Sequence, residues 1–268
     1  MRILEIETTP LHAIAWSFPG PAGGPAHGAL PVLRGWVDRL PGGLAALICA
    51  SDLQGVEPAP GESRQIGVRV AEELALLAEL GELPAGAATG VLLAGDLYGD
   101  PESKRRGANG DAAPVWRAFG EHFRWVAGVA GNHDHVEALL ADPPPNGHYL
   151  DGAARELDGL RVAGLGGIVG NSKKLHRRPP PAYGAGIRAL LAAAPDILVL
   201  HESPAAHGRE QTGSFVARDA LAGQSRLVVV SGHHHWAAPL AIMPEGYQIL
   251  NVDARAVVLL PAGERRDG

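Results

Sequence analysis

Five short apolar runs along the chain stop abruptly at polar residues: LAALICA (44–50) at Ser51-Asp52, GVLLA (90–94) at Gly95-Asp96, RWVAGVA (124–130) at Gly131-Asn132, DILVL (196–200) at His201, and RLVVV (226–230) at Ser231-Gly232-His233. Unbroken apolar runs of this length predict strands buried on both faces, because a strand with one wet face would alternate. Between the first two, VRVAEELALLAEL (68–80) carries the helical period. Two further candidate strands are LRVAGLGGI (160–168) and YQILNVD running into AVVLL (247–260). Strands interspersed with helices predict an α/β fold, a β-sandwich flanked by helices, built as a single domain spanning residues 1–268.

Residues 1–43 form an N-terminal extension to the five-run pattern. Two short strands are expected there, followed by FPGPAGGPAHGALP (18–31), which reads as a loop because so little chain precedes it that no separate core can form. GDPESKRRGANGDAAP (99–114) and NSKKLHRRPPPAYGAG (171–186) read as polar loops that carry the clustered positive charge. With 268 residues, 46% of them apolar, the chain can bury one large core. A formal charge of −6 argues against nucleic acid or an anionic membrane as the default partner. The first residues carry two acids early and lack a basic start followed by an uninterrupted apolar core, and no stretch reaches the ~18 apolar residues of a membrane span, so a soluble cytoplasmic protein is expected. The single Cys49 can form no disulfide within the chain, is expected to be a small buried residue, and suits a reducing compartment.

The polar residues at the run ends share one chemistry. Asp52, Asp96, Asn132, His201, His233 and His235, with Gln54 two positions after Asp52, offer hard oxygens and imidazoles at the carboxyl ends of candidate strands. Sheets collect ligand sites at those ends. Seven donors exceed what one tetrahedral ion takes, whereas a shared carboxylate lets such a set hold two ions.

The segments SDLQG, AGDLYGD, AGNHD, LHESP and SGHHH, in that order, resemble the motifs of the calcineurin-like metallophosphoesterases. The resemblance covers residue 44 to the C-terminus and implies a dinuclear centre that hydrolyses phosphate esters or phosphoanhydrides by attack of a metal-bridging hydroxide. Carried over by motif, Asp52, Gln54 and His235 serve the first metal, Asn132, His201 and His233 the second, and Asp96 bridges them. His133 stands by the phosphate as a proton donor to the leaving oxygen, with Asp134 orienting its ring. Gln54 departs from the family pattern, which has His at this position. Its carbonyl oxygen is a harder donor that suits manganese or magnesium better than zinc, and two divalent ions, manganese first with iron, zinc or magnesium as alternatives, are the expected cofactor; the other reading is that Gln54 hydrogen-bonds a neighbouring ligand or water. The acidic balance makes a small phosphorylated molecule the expected substrate and nucleic acid the alternative, with a non-catalytic scaffold the remaining reading.

Other residues have plainer roles. His234, the middle of GHHH, is expected to alternate away from its neighbours. His12, His27, His122, His135, His148 and His176 are expected to be surface or structural residues. AGLGGIVGN (163–171) lacks the Gly-Lys-Ser/Thr ending of a phosphate loop and reads as a tight turn. His207 and Arg209, close behind LHESP, are candidates to reach substrate, and KRR (104–106) and KKLHRR (173–178) to grip a second phosphate.

Overall fold

Each apolar run forms a strand, and period two divides its side chains between two cores. In the strand Ala46–Ser51, Leu47 and Cys49 face one way and Ile48 and Ala50 the other, all fully buried. Leu47 and Cys49 join Leu92, Val257 and Leu259 against Val162, Val199, Val230 and Leu250 of a second sheet. Ile48 and Ala50 instead meet helices α1 (Ile66–Glu79) and α2 (Ala113–His122). In this computed structural model, which describes residues 1–21, 23–58, 63–208 and 210–264, the chain is a two-sheet α/β sandwich with helices on both outer faces.

The first sheet runs Ile3–Ile6, Pro25–Val37, Arg255–Pro261, Ala46–Ser51, Thr89–Leu93, Trp125–Gly128 and Gly147–Tyr149, with His12–Pro19 paired on Pro25–Val37. The second runs Ala153–Leu157, Leu160–Leu165, Ile197–Glu202, Val228–Gly232, Gln248–Asn251 and Leu240–Ile242. The strands ending near Asp52, Asp96 and Asn132 are mutually parallel, as are those ending near His201 and His233, so all five chemical ends gather at one edge of the sandwich. Helix α3 (Glu137–Ala141) follows the third of these ends, and α4 (Pro180–Leu191) and α5 (Phe215–Ala220) cover the outer face of the second sheet through Tyr183, Ile187, Leu190, Ala217 and Ala220. Among the described residues no helix is long and apolar enough to cross a membrane.

Three expectations change. FPGPAGGPAHGALP is the turn and flanks of a hairpin: His12–Pro19 pairs antiparallel with Pro25–Val37 from His12↔Val32 to Pro19↔Pro25. Its prolines sit at strand ends and on one side of the ladder, where no N–H is needed. The end of NSKKLHRRPPPAYGAG is the start of α4, with proline at the first helical positions, where its fixed φ suits the helix and its missing N–H costs nothing. YQILNVD and AVVLL do not form one element: the chain leaves the second sheet at Asn251 and enters the first at Arg255, and Asp253 lies in that crossing.

Burial drives the Cys49 thiol far above its ordinary pKa, and it stands between the sheets with no exposure. Ellman's reagent is therefore expected to leave the native protein unmodified and to titrate one thiol after unfolding in guanidinium. Fast modification of the folded chain would show that the sheets open there.

Candidate metal centre

Asp52, Asp96 and His233 share a backbone feature: each follows a strand and takes a left-handed conformation, with φ of 55°, 54° and 66°. Non-glycine residues hold this conformation at a cost, and here it turns each side chain back over its strand end. Two motif glycines make the room. A Cβ on Gly131 would strike the Asp96 carboxylate, and one on Gly232 would strike Ser51 and the Asp52 carboxylate.

Hydrogen bonds then fix the carboxylates. Asp52 Oδ2 accepts from Ser51 Oγ (2.6 Å) and from the His233 amide (2.9 Å). Asp96 Oδ1 accepts from the His133 amide (2.9 Å), and Oδ2 from the Gln54 amide nitrogen (3.2 Å). The same Oδ2 lies 3.4 Å from His201 Nε2. His201 Nδ1 donates to the Ala94 carbonyl (2.8 Å), which leaves Nε2 turned toward the site. Donor atoms of Asp96, His201 and His233 all lie within 4.8 Å of one another. His235 is exposed on the rim, its Nδ1 donating to Asp253 Oδ2 (2.9 Å).

The electrostatics follow from this crowding. Burial, then the charges of Asp253 and Asp96, push Asp52 well above the usual carboxylate range. Burial alone would raise Asp96 and depress His201, but their mutual attraction wins, lowering Asp96 and raising His201 to about 10. His233 falls to about 4, through burial and then the neighbouring His201.

The buried atoms Asn132 Oδ1 and His201 Nε2 have no hydrogen-bond partner. An unpaired buried polar atom costs about 1–3 kcal/mol. Asn132 lies in the loop after Trp125–Gly128 and His201 near the end of the strand Ile197–Glu202, and a divalent cation is the partner that an amide oxygen, an imidazole nitrogen and carboxylates can all accept. The residues present fit a metal centre.

A model of the calcineurin-like phosphoesterase family matches residues 47–237, more than half of the chain. The chain belongs to the calcineurin-like phosphoesterase family. Among curated proteins no relative matches. The crystal structure of TT1561 of Thermus thermophilus is similar, with 16% identity, a TM-score of 0.55, and coverage of 78% of this chain and 88% of that one, which supports the fold. AQ665 from Aquifex aeolicus, described as a protein of unknown function, aligns more loosely, at 13% identity and a TM-score of 0.36, over 80% of this chain and 95% of that one. Membership accounts for the order in which this phosphoesterase presents its donors, and the geometry then adds what the motifs do not carry.

Asn109, not Asp134, holds the His133 ring: its Oδ1 accepts from His133 Nδ1 at 2.8 Å. The Asp134 carboxylate is turned underneath, where it accepts from the amides of Asp96, Leu97, Tyr98 and Gly131 at 2.7–3.2 Å. It staples the Asp96 loop to the GNHD loop. Gln54 meets the site through its amide nitrogen, the alternative to carbonyl ligation. His234 does not alternate away, because the strand ends at Gly232 and His233 breaks the period. Its Nε2 lies 3.2 Å from Glu202 Oε1, and donor atoms of Glu202, His233 and His234 form a second group within 4.8 Å. His207 is structural, its Nε2 on the Ile242 carbonyl; Arg209 lies outside the described residues. Of the basic runs, Arg105 and Arg106 line the cavity over the centre, whereas Arg178 is paired with Asp151. Asp253 is the residue that the motifs missed. Its only sequence signal was an acid ending the apolar run YQILNV.

Two outcomes are expected. Asp134→Ala leaves four backbone amide donors without their acceptor and should lower unfolding stability by several kcal/mol and metal content with it. His133→Ala should do neither; matching losses would restore a ring-orienting role for Asp134. Second, His201 in the metal-free protein holds its proton up to about pH 10. Metal uptake at pH 7 should therefore expel protons, read calorimetrically as a heat that scales with the ionisation enthalpy of the buffer.

Proposed function

We propose that the protein hydrolyses phosphate esters or phosphoanhydrides of small molecules, using two divalent ions held by Asp52, Asp96, Asn132, His201, His233 and His235. The observation that carries this reading is that Asn132 Oδ1 and His201 Nε2 are buried without a hydrogen bond, His201 Nε2 standing 3.4 Å from the Asp96 carboxylate. Bound ions would supply an ionised water at neutral pH and offset the charge that develops on the phosphoryl oxygens. Asp96 would be the carboxylate shared between the ions. By motif, Asp52 and His235 would serve one ion and Asn132, His201 and His233 the other.

The remaining groups serve proton transfer and orientation. With Nδ1 committed to Asn109, His133 presents Nε2 to the cavity, where it can donate a proton to the leaving oxygen. Asp253 does for His235 what the Ala94 carbonyl does for His201, holding one ring nitrogen and leaving the other free to bind an ion. Gln54 steadies Asp96 through its amide nitrogen. Three hard oxygen donors, Asp52, Asp96 and Asn132, suit manganese better than zinc.

Asp96→Asn is expected to abolish turnover and to retain less metal than Asn132→Ala, because it removes the only shared anion; elemental analysis of both variants checks this, and two metals retained in Asp96→Asn would end the bridging assignment. His133→Ala should keep its metals yet lose about 10²–10⁴ in turnover on esters with poor leaving groups, and much less on activated aryl esters. Gln54→Ala should hold first-site metal within a few-fold of wild type, whereas Gln54→His should tighten it and shift preference toward zinc. A tenfold or larger loss in Gln54→Ala would make the amide a direct ligand.

A further inference from the structure

The cavity over the metal centre, about 680 Å³, is not lined by family motifs alone. Trp16 and Phe18 form part of its wall, and they come from the hairpin that precedes the matched residues 47–237. Two positions apart on one strand, they share a face, with ring centroids 4.7 Å apart and planes tilted by 37°. Both are half-buried; Trp16 packs in part against the core beneath the first sheet, whereas Phe18 belongs to no apolar core, so packing alone does not account for Phe18.

The wall is tied to the site. Ser17 and Val56 exchange both backbone hydrogen bonds, at 2.9 and 2.8 Å, which attaches the hairpin strand two residues beyond Gln54. The Trp16 ring packs on the backbone of Gly55. From the other side, the 99–112 loop brings Arg105, already engaged by Asp100, and Arg106, which makes no ion pair among the described residues. Aromatic faces, two guanidiniums and a metal centre thus share one cavity of the size that encloses a small ligand.

We propose that the N-terminal hairpin is a specificity element: Trp16 and Phe18 stack a planar ring of the substrate, while Arg105 and Arg106 take a phosphate beyond the one that is cleaved. The substrate class is then a small molecule that carries a planar ring on two linked phosphates. This rests on the phosphohydrolase reading for the cleaved phosphate; the ring contact stands on the aromatic pair. Face-to-face stacking needs no hydrogen-bond code, so the wall selects for a ring without choosing strongly between rings.

The test uses two probes with an uncleavable bridge on the manganese-loaded protein: α,β-methylene adenosine diphosphate, and methylenediphosphonate, which lacks the ring. Calorimetry should give the ringed probe at least tenfold tighter binding. Trp16→Ala and Phe18→Leu should each remove most of that advantage and leave the ringless probe within about twofold, while Trp16→Phe keeps it. Arg106→Gln should weaken both probes alike. If Trp16→Ala fails to fold, Phe18→Leu carries the comparison. Equal affinity of wild type for the two probes, or equal weakening of both by the hairpin variants, overturns the proposal. So does a single-stranded oligonucleotide that binds tighter than the ringed probe with steep salt dependence, since the ring would then belong to nucleic acid. If no phosphate ester or anhydride is hydrolysed while ring selectivity persists, the hydrolase reading falls and the aromatic wall remains.

Discussion

Asp52 and Asp96 are two carboxylates buried at the ends of neighbouring parallel strands, and much of the surrounding chain acts to neutralise them. Their strands are in register, and the Asp52 amide bonds the Gly95 carbonyl (2.9 Å), so the two acids cannot separate without breaking the sheet. Like charges in a poorly solvated space raise each other's proton affinity. Asp52 is left in that condition, while Asp96 is compensated by His201, the His133 amide and Gln54. The left-handed turns, the glycines that clear space and the inward-facing imidazoles bring positive or donor groups to these acids. Bound dications would complete the same neutralisation more fully than protons can.

The parts of this arrangement that the sequence carried are those that a strand enforces. A buried run has a definite end, and residues at the ends of parallel neighbours meet in space, so the positions of Asp52, Asp96, Asn132, His201 and His233 followed from where apolar residues stop. The two-layer core was readable for a similar reason: ALICAS alternates between two apolar environments, and only a strand covered on both sides needs that.

What was not readable depended on direction. Asp134 and His234 each neighbour a motif residue, and sequence adjacency suggested their roles. Yet Asp134 turns under its loop toward four amides, and His234 follows a residue at positive φ, where the two-residue period no longer applies. Asn109 reaches His133 across 24 residues, and Asp253 reaches His235 from the crossing between the sheets. Neither pairing has a local signal, because long-range hydrogen-bond partners are set by topology. Proline misled twice, at a hairpin edge and at a helix start, both places where its missing N–H is harmless.

The hairpin shows how a shared chemistry and a private one can occupy the same cavity. Metal donors must converge within a few ångströms, so they stand on the strand ends that the fold holds most rigidly. A ring-binding wall needs only a face at roughly the right distance, and a segment outside the common sheet order can supply it. Such a wall would nonetheless discriminate poorly if it moved independently of the phosphates. The paired hydrogen bonds between Ser17 and Val56 remove that freedom by joining the hairpin to the loop that carries Asp52 and Gln54, so the ring site and the metal site keep one spacing. That fixed spacing is what lets a substrate engage both ends at once and lets contacts remote from the reacting bond position the phosphate to be cleaved.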